Sequence, residues 1–321
     1  MANLIRLLAA IGFMALVAPP VAAQYPAKPV RLVVPFAAGG AADLVARVLA
    51  QPLSQTLGQP VIVENRPGAD GAIAGNAVAK SSPDGYTLLF GSNTGMVATP
   101  LLQKNPPYDS LADFTPISLI SQQASLLVMH SSVPAKTLPE LMAYARANPG
   151  KLSYGTSTSS AVLATAQLMA VGKLDMVHIP YKGEASALPD LLTGRVQLMF
   201  VNSFALVIPE INSGKLRALA VGLDARSSLL PDVPTITESG LPKLTIVPWF
   251  AVFGPANMPP DIVQRLSREL ASVLKRQEVR DLLNKTAAEP KGSTSDELKE
   301  YLKDQIVIWD KAIRDAGIQR Q

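Results

Sequence analysis

The chain has 321 residues, with 29 basic and 25 acidic side chains, two histidines and no cysteine. A formal charge of +4 without any long basic run excludes the clustered cationic footprint of a nucleic-acid binder. The missing cysteine excludes a disulfide framework and a lipid-modified thiol, so the core alone must supply stability.

The elements follow in chain order. Arg6, the apolar run Leu7 to Val17 and the small residues Val21-Ala22-Ala23 read as a secretory signal peptide cleaved after Ala23. The mature chain from Gln24 is then exported to the periplasm and is long enough for two domains. Lys28 to Val34 reads as a strand. Ala41 to Leu57 reads as a helix with Leu44, Val45, Val48, Leu49 and Leu53 on one face, and Pro52 is expected to kink or split it. Pro60 to Glu64 and Tyr86 to Phe90 read as strands, with a small-residue helix over Gly71 to Ala79 between them.

Leu126 to His130 predicts a strand. Thr137-Leu138-Pro139-Glu140 offers a capping box to a helix that stops at Asn148-Pro149-Gly150. Leu152-Ser153-Tyr154 opens another strand, the hydroxyl-rich turn Gly155 to Ser160 follows, and a helix runs through Val171. Val177 to Pro180, Val196 to Val201, Leu216 to Val221 and Val247 to Phe253 complete the strands. Two closing helices carry the stripes Ile262, Val263, Leu266, Leu270, Val273 and Leu298, Leu302, Ile306, Trp309, Ile313. Strands alternating with helices predict an α/β fold with mostly parallel sheets.

Chemistry is sparse. Two isolated histidines without cysteine or H-E-x-x-H predict no metal site, and no cofactor motif is present. Gly91-Ser92-Asn93-Thr94-Gly95 places asparagine where a nucleophile elbow needs serine. An exported hydrolase using Ser157 or Ser92 therefore lacks a base placed by motif, and His178, within the strand-like VHIP, reads as a core or edge histidine.

The Gly39-Gly40 turn lacks both G-x-G-x-x-G and the phosphate-loop lysine. Two readings stand side by side: a tight strand-to-helix turn, or a backbone cradle whose N–H groups meet a small anion such as a carboxylate. Asp43 in the first helical turn complements the positive helix end and repels an acidic ligand. Of the hydroxyls in Thr156, Ser157, Thr158, Ser159 and Ser160, one caps the helix, and the rest suit a second anion-type site. Phe36, Phe90, Tyr154, Tyr181 and Trp249 flank strand ends, where α/β sheets bind ligands.

Ten ordered segments, among them PFAAGGAADLVAR, VIVENRPGADG, SPDGYTLL, NPGKLSYG, DMVHIPYKG, LLTGRVQLMF, PDVPTITESG and VPWFAVFGPANMPPDIVQRL, resemble the Bug family of periplasmic solute-binding proteins, the substrate-binding components of tripartite tricarboxylate transporters. The resemblance implies a type II-like, two-domain flytrap without catalysis or cofactor, monomeric, with crossings near Gln122 and Val247. Domain 1 is then 24–122 plus 248–321, domain 2 is 123–247, and the ligand cleft lies between them. It further implies a small carboxylate ligand and delivery to membrane permease subunits, or readout by a sensor protein. One jaw is Phe36-Ala37-Ala38-Gly39-Gly40 with Asp43; the other begins at Gly155 with Thr156, Ser157, Thr158 and Ser160. Ser92, Asn93, Tyr154, Tyr181 and Asn202 complete the candidate site. The chain departs from the family at YGTSTSSAVLATA, where hydroxyls replace glycines and Val162 stands where histidine is frequent. That departure widens the expected ligand to an aromatic or amide-bearing acid.

Overall fold

The computed structural model describes residues 25–320, so the leader expected over 1–23 lies outside the described residues. Val30–Val34 forms β1, a run whose side chains are nearly all buried. Ala41–Leu57 forms α1, which closes on Gly58 in the left-handed region (φ 72°). Pro52 sits inside this helix without ending it. The buried positions Leu49, Ala50, Leu53 and Leu57 lie on both sides of the proline and pack into one cluster. Each buried leucine contributes about 1.5–3 kcal/mol, which outweighs the roughly 3 kcal/mol that an internal proline costs.

β2 (Val61–Asn65), α2 (Ala72–Ala79) and β3 (Thr87–Ser92) follow, then a π-turn over Thr94–Ala98 and the short α3 (Thr99–Leu102). β4 (Phe114–Gln123) runs directly into β5 (Leu126–His130). The middle of the chain continues as α4 (Leu138–Ala147), β6 (Ser153–Thr156), α5 (Ser159–Gly172), β7 (Val177–Pro180), α6 (Glu184–Leu192), β8 (Leu198–Val201), α7 (Phe204–Asn212) and β9 (Leu216–Val221). The closing elements are β10 (Trp249–Pro255), α8 (Pro260–Lys275), α9 (Gln277–Lys285), β11 (Ala288–Pro290) and α10 (Ser295–Asp315).

Two sheets result, one of six strands in the order β11-β4-β10-β3-β1-β2 and one of five in the order β7-β6-β8-β5-β9. The first draws its strands from both ends of the chain and the second from the middle. Both are mixed where mostly parallel sheets were expected. The βαβ portions β2-β1-β3 and β7-β6-β8 are parallel. β10 runs antiparallel to β3 and β4, and β5 runs antiparallel to β8 and β9. The physical reason is connectivity. β4 carries the chain out of the first sheet and its antiparallel neighbour β10 brings it back at the same end, and the Gln123 N–H donates to the Pro248 carbonyl (2.7 Å) where the two passages meet.

Helices cover both faces of each sheet. In the first, α1, α8 and α9 bury Leu49, Leu266 and Leu283 on one side, while α2 and α10 bury Val78, Leu302 and Trp309 on the other. In the second, α4 and α5 bury Leu141 and Leu168 on one side, and α6 and α7 bury Leu191 and Val207 on the other. The Thr137 hydroxyl caps α4 through the Glu140 N–H, but the Glu140 carboxylate turns to the Lys136 N–H, so the expected capping box is one residue out of register. A reciprocal box forms instead at α10, between Thr294 and Glu297.

Candidate ligand-binding site

The first candidate loop leaves β1 at Pro35 and ends where α1 begins. Gly39 adopts φ +81°, a backbone that L side chains rarely adopt, whereas Gly40 is an extended N-cap. Behind the loop lies the buried carboxylate of Asp43, which accepts from the Gly39 N–H (2.9 Å), the Arg47 Nε (3.0 Å) and the Asn65 Nδ2 (2.9 Å). Asn65 also donates to the Phe36 carbonyl (3.0 Å). The Arg47 hydrogen bond, helped by those of Gly39 and Asn65, holds the Asp43 carboxyl down to about 2.

This arrangement reassigns the two glycines. The Gly39 N–H points inward to Asp43 and the Gly40 N–H donates to Ala37 O (3.4 Å), so neither is free for a ligand anion, and of the two readings of these glycines the tight turn describes them. An internal carboxylate outcompetes solvent for the nearer donor. Among the described hydrogen bonds, none uses the N–H groups of Ala37, Ala38, Ala41 or Ala42. These four surround the exposed crest of the loop, at the positive end of α1.

At the end of β3, Ser92 and Asn93 are buried. Ser92 Oγ accepts from the Gly95 N–H (3.3 Å), which holds the π-turn. Asn93 reaches further. Its Nδ2 donates to Ser160 Oγ (2.5 Å) in the first turn of α5, and its Oδ1 accepts from the Trp249 N–H (3.1 Å) at the start of β10. One side chain thus joins the end of β3 in the first sheet to the helix that follows β6 in the second.

The second candidate loop follows β6. Tyr154 stacks on His178 (5.0 Å, 20°), and Thr156 Oγ1 pairs with His178 Nε2 (2.7 Å), so this edge-strand histidine serves a threonine and neither Ser157 nor Ser92. Burial lowers the His178 pKa. A side chain on Gly155 would press on the Tyr181 ring and Val196 at 3.3 Å. The Tyr181 hydroxyl donates to Asp190 (2.7 Å), and burial together with that carboxylate pushes its pKa up to about 12. Thr158 is the cap, accepting from the Ala161 N–H (3.2 Å). With Ser160 held by Asn93, Ser157 Oγ is a buried atom without a hydrogen-bond partner, and so is Asn202 Oδ1 just beyond β8.

Two residues of this arrangement escape a reading of the sequence. Asn65 is a polar strand end without a motif. Glu184, at the first position of α6, accepts from the Asn202 N–H (2.8 Å) and the Ser203 N–H (3.0 Å), and its burial raises its pKa against those bonds. The only signal for Glu184 was its position, a carboxylate opening a helix after a strand, as with Asp43.

These groups gather at and just beyond the carboxyl ends of β1, β2, β3, β6, β7 and β8, where open α/β sheets hold ligands. An open groove of about 1110 Å³ runs between α8 and the start of α10 and contains none of them. The convergence of polar groups, rather than volume, therefore locates the site. Among the described residues no cluster of histidine and carboxylate side chains is arranged to hold a metal, and no helix is long and apolar enough to cross a membrane.

The model of the tripartite tricarboxylate transporter family receptor matches residues 45–318. The chain belongs to this receptor family. It is 39% identical to protein BugT of Bordetella pertussis, over 98% of each chain, and 35% identical to a UPF0065 protein of Pseudomonas sp. strain P51, over 90% of this chain and 86% of that one. Solved relatives agree. An R. palustris protein solved with adipate superposes with a TM-score of 0.83 at 34% identity, covering 92% of this chain and 99% of that one. The periplasmic binding protein BugD gives 0.79 at 34%, covering 92% and 100%. MatC from Rhodopseudomonas palustris with bound malate gives 0.76 at 31%, covering 90% and 100%. The receptor is thus of the periplasmic solute-binding type, a class that binds rather than transforms its solutes.

Proposed function

We propose that this receptor is exported to the periplasm, captures a small carboxylate between two domains, and hands it, without chemistry, to the membrane subunits of a tripartite transporter. The domains are 24–122 plus 248–321 and 123–247. The observation that carries the reading is the Asn93–Ser160 hydrogen bond, which brings the strand ends of one sheet against the hydroxyl loop of the other. The two passages of the chain at Gln123 and Pro248 supply the hinge. The carboxylate sits at the crest of Phe36–Gly40, where the N–H groups of Ala37, Ala38, Ala41 and Ala42 and the helix dipole favour an anion. Asp43 lies behind this crest, so its charge is already neutralised by Arg47 and does not repel the ligand.

Native mass spectrometry of freshly purified protein and thermal-shift screening against a panel of carboxylic acids test the reading, because a ligand that binds only the folded state raises the melting temperature with its concentration. A concentration-dependent rise is expected for at least one acid. No rise across monocarboxylates, dicarboxylates and aromatic acids would refute it.

A further inference from the structure

Resting on the carboxylate reading above, we infer that the far end of the ligand, held by the loops beyond β6 and β8, is a neutral hydrogen-bonding group, a primary amide or a hydroxyl, rather than a second carboxylate.

The inference follows from which groups of the second loop remain available. Thr156 is held by His178, Thr158 caps α5 and Ser160 is held by Asn93. Ser157 Oγ and Asn202 Oδ1 are the atoms of these two loops that are buried without partners. They lie one residue beyond β6 and one residue beyond β8, and these strands are neighbours in the sheet, so the two side chains occupy adjacent strand ends. A buried acceptor without a donor is an unfavourable state that a ligand N–H or O–H relieves.

The charges point the same way. A second carboxylate needs donors or a cation, yet the Asn202 and Ser203 N–H groups, the natural anion cradle after β8, are both taken by Glu184. The Glu184 carboxyl places acidic character at that spot, and a ligand carboxylate beside it would meet like charge. Of the basic side chains near these loops, Arg195 pairs with Asp190, and Lys182 follows β7, which lies on the far side of β6 from β8. The buried Asn202 Oδ1 calls for an N–H or O–H, which an amide or a hydroxyl carries and an ionised carboxylate lacks.

Matched acids separate the possibilities. Isothermal titration compares succinamate, γ-hydroxybutyrate, butyrate and succinate, and at greater length adipamate, hexanoate and adipate, on the wild-type receptor and on Asn202→Ala, Ser157→Ala and Lys182→Met. At one of the two lengths, the amide or hydroxyl acid is expected to bind at least about tenfold more tightly than both its dicarboxylate and its plain alkanoate. In Asn202→Ala that preference is expected to shrink to within about threefold while the alkanoate affinity holds. Lys182→Met is expected to leave the preference intact. Tightest binding of the dicarboxylate, or a preference that survives both Asn202→Ala and Ser157→Ala, overturns the inference and leaves the carboxylate reading standing. No binding by any member overturns the inference, and the carboxylate reading is then decided by the aromatic acids of the thermal-shift panel. The Glu184 bonds go to backbone N–H groups that Asn202→Ala retains, and a melting curve checks its fold.

Discussion

Replacing Asp43 by asparagine isolates the carboxylate that shapes the first loop. In the wild-type protein this buried group accepts from Gly39, Arg47 and Asn65. An asparagine keeps one acceptor oxygen but turns an NH₂ toward donors, so two of the four contacts are lost, either that of Gly39 or that of Asn65 together with half of the Arg47 pair. Hydrogen bonds to a charged group contribute about 1.5–3 kcal/mol each, but half-exposed Arg47 is screened by solvent and adds little. The expected loss is about 2–3 kcal/mol, which for a chain of this size lowers the Tm by roughly 3–5 °C. Calorimetry at neutral pH measures it. The dependence on pH has a definite sign. The folded carboxyl titrates at about 2 against an ordinary 3.8, so its contribution is fully present above 3.8 and disappears as pH falls through about 2. The wild type and Asp43→Asn should therefore converge on acidification across that window. A Tm within about 1 °C of wild type at neutral pH, or a difference that persists at the acid end, would refute the account of Asp43 as the loop's anchor.

The two adjacent glycines are expected to behave differently. Gly39→Ala forces an L residue to φ +81° and should cost about 1–2 kcal/mol, whereas Gly40→Ser, at an extended N-cap where a Cβ meets only Ala37 O at an ordinary 3.5 Å, should be neutral or stabilising by a few tenths; urea midpoints compare them, and equal losses would contradict the assigned conformations. Asn93→Ala strands the buried Trp249 N–H and frees Ser160, so a loss of about 1–3 kcal/mol in urea unfolding is expected, together with weaker ligand binding as the two loops lose their shared side chain. An unchanged midpoint would mean that this link carries no energy.

Legibility in the sequence followed the strength of local pattern. β5, β7 and β9 occupy Leu126–His130, Val177–Pro180 and Leu216–Val221, the bounds predicted for them; the apolar runs of β5 and β9 are largely buried, whereas β7 is an exposed edge strand. β4 was not predicted as a strand. Its buried Ser118, Ser121 and Gln123 break the apolar pattern, and their burial depends on distant partners such as Ser293, which lies next to Ser118 only in the folded chain. α6 and α7 were not predicted either. Each carries a proline, Pro189 and Pro209, that reads as a breaker until the helix has a sheet to pack on.

The candidate site divides in the same way. Glycine at a strand-to-helix junction, hydroxyls before a helix and a cap among them are nearest-neighbour properties, and the sequence alone determined them, as it did the order of the strongly patterned strands and helices and the resemblance to the family. Which atom takes which partner was decided only by the tertiary structure. Asp43 faces inward because Asn65, on the adjacent strand, and Arg47 meet it there. Asn93 and Ser160 are 67 residues apart and belong to different sheets, yet they share a hydrogen bond. A polar side chain has the same donors and acceptors in any sequence, and whether they remain free for a ligand depends on what the fold brings within about 3 Å of them.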